Sequence, residues 1–230
     1  MRKTVAILIS AVILNLCSAC VFVQRDSVEW AERKESASEI LMGRGIITEE
    51  DKNKDRYIST LEALETIEKM RGYEIDDIPE SYLYEWNLNA SLKSMNYLDD
   101  SAKLLLISLC HGDGCNVVLK YDEIASLNLN ANITNYEALL YITRLVGDTY
   151  GCMDSATDGS VEKEDIYKTA YDKGLISKTS TRKADKLMTR DEFYNVLHKA
   201  LFVEYCSGGE AGVEVVRLID ILNRIMANVG

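Results

Sequence analysis

Three stretches of the chain share one order of apolar and polar positions. RYISTLEALETIEKMRG, ANITNYEALLYITRLVG and KLMTRDEFYNVLHKAL each run apolar residue, Ser or Thr, two variable residues and Glu. The apolar anchors Ile58, Ile133 and Met188 stand 75 and 55 residues apart, a repeat with an insertion in its first interval. A hydroxyl three residues before a glutamate is the mark of a capping box. Ser59, Thr134 and Thr189 are placed to accept from the first helical turn, and Glu62, Glu137 and Glu192 to reach back. Each such cap contributes about 0.5–2 kcal/mol. The residues that follow carry apolar stripes at helical spacing. These are Leu61, Leu64, Ile67 and Met70, then Leu139, Leu140, Ile142, Leu145 and Val146, then Phe193, Val196, Leu197 and Leu201.

A second helix is predicted before each box. SASEILMGRGII and IYKTAYDKGLI both end in a glycine followed by an apolar pair. Gly174 is a candidate left-handed residue just past its helix. SAKLLLISLCHGDG supplies a helix and glycines between the other two, with no clear apolar pair. Each unit then reads helix, glycine and apolar pair, loop, box, helix. Residues 76–100, rich in Tyr and Asn with Trp86, form the insertion. They read as a short helix packing aromatics on the core, or as a platform for stacking on sugars. At the end, Val215, Leu218, Ile219, Leu222, Ile225 and Met226 share one broad face of a predicted helix over 207–230. That helix is expected to close the bundle, the alternatives being a partner or a second copy.

The N-terminus breaks this pattern. Arg2 and Lys3 precede TVAILISAVILNL, an apolar run too short to span a bilayer comfortably, and then CSAC. Residues 1–19 read as a secretory signal peptide. The segment also resembles a bacterial lipoprotein signal, which would place a lipid on Cys20 and make 20–27 a linker behind a membrane anchor. Cleavage after Ala19 with no anchor is the alternative. The chain is then expected to be exported to the cell surface. Removing 1–19, with two positive and no negative charges, takes the formal net charge from −11 to −13. Such an acidic chain is a poor match for nucleic acid or anionic lipid. Cys110, Cys115, Cys152 and Cys206 remain, an even number that suggests disulfides in an exported protein. Cys110–Cys115 is the shortest closure among three connectivities. A metal or nucleophile site on Cys110, His111 and Cys115 is the functional alternative. No acid pair, nucleophile–base set or histidine-rich cluster has a spacing that points to catalysis, so a non-enzymatic role is expected.

The order of helix, G-apolar-apolar, loop, box and helix resembles the S-layer homology (SLH) family. The elements that carry the resemblance are GIITEEDKNKDRYISTLEAL, the degenerate LNLNANITNYEAL, and GLISKTSTRKADKLMTRDEF, over residues about 28 to 203. The resemblance implies a mainly α protein of three helix-loop-helix modules in a compact pseudo-threefold bundle. The modules would span 28–75, 101–150 and 151–206. It also implies noncovalent attachment to a cell-wall secondary polysaccharide. The family's box arginine is present only as Arg190, with Thr60 and Asn135 in its place elsewhere, and the aromatic-x-Pro stretch is missing. By this resemblance Arg190 and Gly174 are polysaccharide contacts. Lys186 and Arg182, with Lys178 and Lys183 nearby, would hold an anionic sugar through charge-assisted contacts.

DKNKDRYISTLE, residues 51–62, also fits the frame of an EF-hand or dockerin-like calcium loop. Asp51, Asn53 and Asp55 fall at positions 1, 3 and 5, the Tyr57 carbonyl at 7, Ser59 at 9 and Glu62 at 12. Arg56 stands where that loop needs a glycine. DSATDGSVEKED, at 154–165, is a weaker second frame. Calcium is therefore the possible cofactor, and a calcium-dependent structural or interaction module, such as a cohesin partner, is the alternative function.

Overall fold

The computed structural model describes residues 36–73, 78–89, 92, 95–111, 117–147, 163–177, 184–209 and 212–229. The chain from Ala37 to Gly230 forms one compact unit. It is mainly helical, with ten helices and one hairpin among the described residues.

The three boxes form as the sequence predicts. They open α3 (Thr60–Met70), α7 (Asn135–Leu145) and α9 (Arg190–Ala200). In each, the Ser or Thr accepts from the N–H of the glutamate, and that glutamate accepts from the cap N–H. The anchors Ile58, Ile133 and Met188 are fully buried. So are most predicted stripe residues of the three helices, Leu61 being only partly buried.

Shorter or earlier helices precede them: α1 (Ala37–Gly43), α2 (Glu49–Asn53), α4 (Ser81–Leu88), α5 (Asp100–Cys110), α6 (Tyr121–Ile124) and α8 (Lys163–Asp172). Packing between these helices runs in a closed order. Helix α5 packs on α3, α8 on α7, and α1 on α9. The segments before the boxes are hydrogen-bonded in the same closed order. Thr60 N–H donates to Ala131 O at 2.8 Å, Asn135 N–H to Lys186 O at 2.9 Å, and Arg190 N–H to Arg56 O at 2.8 Å. Isolated bridges join Ser59 to Asn132, Thr134 to Leu187 and Tyr57 to Thr189. The N–H groups of Thr60, Asn135 and Arg190 are thus satisfied by the neighbouring loop.

The turns after α1 and α8 place Gly45 and Gly174 at φ of 70° and 72°, the left-handed conformation expected past a helix end. Leu41 O then receives Ile46 N–H, and Ala170 O receives Leu175 and Ile176 N–H. The middle turn holds an apolar pair that the sequence hid. Leu109 O receives Val118 and Leu119 N–H at 2.9 and 3.0 Å, and both residues are fully buried. A longer connection separates this pair from its glycines, which masked the match to GII.

The C-terminal region departs from the expected helix over 207–230. Glu204–Gly209 (β1) and Gly212–Arg217 (β2) form an antiparallel hairpin with Cys206 opposite Val215, and only Leu218–Val229 is helical (α10). Val213, Val215 and Val216 favour an extended backbone, and Gly209 pairs with Gly212 at the end of the ladder. Val215 therefore belongs to a strand rather than to the helical face. Helix α10 does pack back on the bundle. Ile219 N–H donates to Leu201 O at 3.1 Å, and Asn223 accepts from Arg44 at 2.6 Å.

In the insertion, Trp86 is 1% exposed and donates to Asn96 Oδ1 at 3.4 Å, so it is a core residue. Tyr84, Leu88 and Tyr97 remain exposed.

Candidate functional site

Arg190 does not face solvent. Its side chain is 6% exposed and lies between the third box and the loop before the first. Nε donates to Asp55 O at 3.0 Å, Nη2 to Tyr57 O and to the Glu62 carboxylate at 3.3 Å, and Nη1 to Tyr194 Oη at 3.3 Å. Its donors are thus taken up within the chain, and the sugar contact expected of it is not what this geometry accounts for. Its position is the first residue of a helix whose N–H crosses to the neighbouring loop, which turns the side chain inward. Thr60 and Asn135, in the same place after their boxes, are 4% and 0% exposed. The hydroxyl of Thr60 donates to Ala131 O at 3.2 Å. Thr60 and Arg190 thus fasten neighbouring segments through their side chains, and Asn135 does so through its backbone N–H.

Gly174 sits at a helix end with open space where a side chain would be, so its left-handed turn is the role the geometry accounts for. Lys186 is exposed, with Nζ 3.7 Å from Glu192 Oε1. Arg182, Lys178 and Lys183 lie outside the described residues, as do the signal segment 1–19, Cys20, Cys115 and Cys152. Of Cys206, the backbone in β1 is described.

Within the calcium frame over 51–62, most of the candidate ligands are engaged by groups of the chain itself. Thr48 caps α2, and Asp51 closes that box by accepting from Thr48 N–H at 2.9 Å and its hydroxyl at 2.8 Å. Lys54 Nζ lies 2.9 Å from the other Asp51 oxygen. Burial pushes the Asp51 carboxyl up, but Lys54 and Thr48 outweigh it and hold it down to about 2. Asn53 donates to Glu49, the Tyr57 carbonyl accepts from Arg190, and Ser59 pairs with Glu62. Asp55 is exposed and its carbonyl is taken by Arg190. Asp51 and Glu62, the first and last positions of the frame, both approach Lys54 Nζ, at 2.9 and 3.6 Å, so an ammonium stands between these two carboxylates. Most of the second frame, 154–165, lies outside the described residues.

Cys110 is a free thiol at the end of α5, so the Cys110–Cys115 closure is not made. Its side chain packs against the hydrophobic core. Burial first, then the charges of Glu123 and Glu85, push the thiol up to about 12. It is protonated at neutral pH and is a poor nucleophile or soft metal ligand.

A groove of about 400 Å³ opens where the first box meets the loop before the second. Thr60, Glu123, Asn128, Asn132, Tyr136 and Glu137 line it, among others. Asn128 and Asn132 are exposed. Glu137 is engaged by Thr134, and Glu123 is paired with Arg144 through two contacts of 2.7 Å. Burial raises the Glu123 carboxyl, but the Arg144 guanidinium outweighs it and keeps the group ionised. The groove thus offers amides, hydroxyls, tyrosine rings and carboxylates, and the Arg144 guanidinium that contacts Glu123 is paired with it. That chemistry suits neutral polar or cationic groups better than anionic ones. Eleven of its twelve lining residues fall between Glu123 and Tyr141, and Thr60 alone comes from the first box, so sequence reasoning missed it because those eleven read there as loop, cap and helix stripe.

Among the described residues no helix is long and apolar enough to cross a membrane. Comparison with protein-family models, with curated proteins and with solved structures finds no match to this chain.

Proposed function

We propose that this is a non-enzymatic cell-envelope protein built of three SLH-like modules that associate with cell-wall polysaccharide. The observation that carries the reading is the closed order of contacts. Three boxes, three loops and three helix pairs each relate to the next in the same way, as copies of one module about a pseudo-threefold axis would. The buried apolar pairs Ile46–Ile47, Val118–Leu119 and Leu175–Ile176 support the same equivalence. In this reading residues 1–19 direct export, and a lipid on Cys20 holds the protein at the membrane beneath the wall.

Withdrawal of Arg190 into the bundle moves the proposed polymer contact from the third module to the groove between the first two. The test is co-sedimentation of the purified protein with sacculi, with the wall polymer intact or chemically stripped. Binding is expected to need the polymer, to weaken in Asn132→Ala and Asn128→Ala, and to persist in Lys186→Ala. Sedimentation that ignores polymer removal sinks the wall-binding role. Loss in Lys186→Ala alone returns the contact to the third module.

A further inference from the structure

The groove beside Asn132 lies at one of three junctions where the start of a box helix meets the loop before another box. Arg56, Ala131 and Lys186 each stand three residues before a cap, those of Ser59, Thr134 and Thr189. Their carbonyls receive the N–H groups of Arg190, Thr60 and Asn135 in turn. The junctions therefore correspond position by position. Where the third box helix meets the first loop, the Arg190 guanidinium occupies the junction. It donates to the carbonyls four and two residues before the cap, those of Asp55 and Tyr57, and lies 3.3 Å from the Glu62 carboxylate. Where the first box helix meets the second loop, the corresponding acceptors are the Asn130 and Asn132 carbonyls and the Glu137 carboxylate. Thr60 stands there in the place of Arg190. Its hydroxyl reaches only Ala131 O, at 3.2 Å, and it lines the groove of about 400 Å³.

Charge sets this second junction apart. Each box glutamate gives Oε2 to its own cap. Oε1 of Glu62 lies 3.6 Å from Lys54 Nζ and 3.3 Å from Arg190 Nη2, and Oε1 of Glu192 lies 3.7 Å from Lys186 Nζ. Among the described residues Glu137 forms no ion pair, and its contacts are those of its cap. Residues 126–132, SLNLNAN, contain no basic residue, and Leu129 and Ala131 stand where the other loops have Lys54 and Lys186. Glu123, the other carboxylate of the groove, has both oxygens on Arg144. Glu137 thus lines a groove at the place where Glu62 meets a guanidinium.

We infer that this groove receives a cationic nitrogen from outside the chain. The inference rests on the wall-polymer reading for the carrier, and the group is then the free primary ammonium of an unacetylated amino sugar. Glu137 supplies the charge-assisted contact. Asn128, Asn132, Thr60 and Ser126 on the groove walls supply amide and hydroxyl partners for the ring hydroxyls. An N-acetyl amide in the same place leaves the carboxylate without a counter-charge, and an anionic sugar meets like charge, so both are disfavoured. Arg190 at the neighbouring junction is the internal counterpart of the ligand's charged group.

The experiment is calorimetric titration of the purified protein with a glucosamine tetramer and with its N-acetylated form. Beside it runs sedimentation with sacculi whose wall polymer is untreated or chemically N-acetylated. One free-amine tetramer per chain is expected to bind, with the acetylated form weaker by about tenfold or more, the scale of one charge-assisted contact. Glu137→Gln should weaken the free-amine tetramer by a similar factor while glutamine keeps the capping box. Thr60→Arg should block the groove by placing a guanidinium where the other junction has Arg190. Asp100→Asn, which removes an exposed carboxylate outside the groove, should leave binding unchanged. Circular dichroism establishes that each variant is folded, and if Thr60→Arg is not, Glu137→Gln decides. Equal affinity for the two tetramers, binding unchanged in Glu137→Gln, or an equal loss in Asp100→Asn overturns the inference. So does a tetralysine peptide that binds through Glu137 while the amino sugar does not. Sedimentation that needs the polymer but ignores its N-acetylation leaves the wall role standing and sinks the ammonium contact. Sedimentation that ignores polymer removal sinks the wall role, and the tetramer titration then judges the groove alone.

Discussion

Replacing Arg190 with alanine distinguishes a fastener from a ligand contact. The change removes a donor 3.0 Å from Asp55 O, another 3.3 Å from Tyr57 O, and the cation beside Glu62. A hydrogen bond involving a charged group contributes about 1.5–3 kcal/mol, and breaking a buried ion pair costs about 3–5 kcal/mol. The Glu62 side chain is 28% exposed, so solvent screens part of its contact with Arg190. The expected loss is then about 3 kcal/mol, a large share of the roughly 5–15 kcal/mol that stabilises a domain. In urea, with a slope near 2 kcal/mol per molar, the midpoint should fall by about 1.5 M. Lys186→Ala, at an exposed position with a 3.7 Å ion pair, should change stability by under about 0.5 kcal/mol. Equilibrium unfolding followed by far-ultraviolet circular dichroism reads both. Equal midpoints for the two variants would refute the buried tie between the third box and the first loop. The same measurement guards the sacculus assay, since a partly unfolded Arg190→Ala would lose binding for the wrong reason.

Two further predictions test the C-terminal closure and the capping of α2. Gly72 has φ of 86°, and a Cβ there would lie 2.2 Å from Ile225 Cδ1 on α10, whereas Gly45 has φ of 70° and open space. The contact at Gly72 is with the end of the exposed, flexible Ile225 side chain, which can turn aside, so Gly72→Ala and Gly45→Ala should each lose roughly 1 kcal/mol of left-handed strain. A clearly larger loss for Gly72→Ala in thermal unfolding would refute this and show that α10 holds Ile225 rigidly against Gly72. Asp51 is held down to about 2 from an ordinary value of 3.8. A depressed folded-state value gives stability that is present above the unfolded value and is lost as pH falls through the folded one. The wild type should therefore lose this contribution between about pH 4 and pH 2, and Asp51→Asn should show a shallower loss over that window. Identical pH profiles would remove the Asp51 capping contribution.

Local rules made much of the fold legible. A hydroxyl, two residues and a glutamate specify a cap whatever surrounds them, so Ser59, Thr134 and Thr189 could be placed from spacing alone. The helical stripes and the left-handed Gly174 follow from equally short-range patterns. The hairpin was harder to read because Val215 suits both a β-strand and the extension of the apolar face beginning at Leu218. The second apolar pair, Val118–Leu119, was hidden by the length of its turn.

What the sequence by itself determined is therefore the set of pieces: the caps, the periods and the anchors, whose physics acts within a few residues. Tertiary structure alone decided how their side chains were used. Arg190 became a buried tie because its helix starts against the carbonyls of residues 55–57, and Asp51 became a cap because Thr48 begins a helix there. The approach of Thr60 to the groove beside Asn132 and the meeting of Glu85, His111 and Tyr121 depend on long-range packing. Their donors come from segments whose separation along the chain carries no local periodicity, so only closure of the core brings them into range.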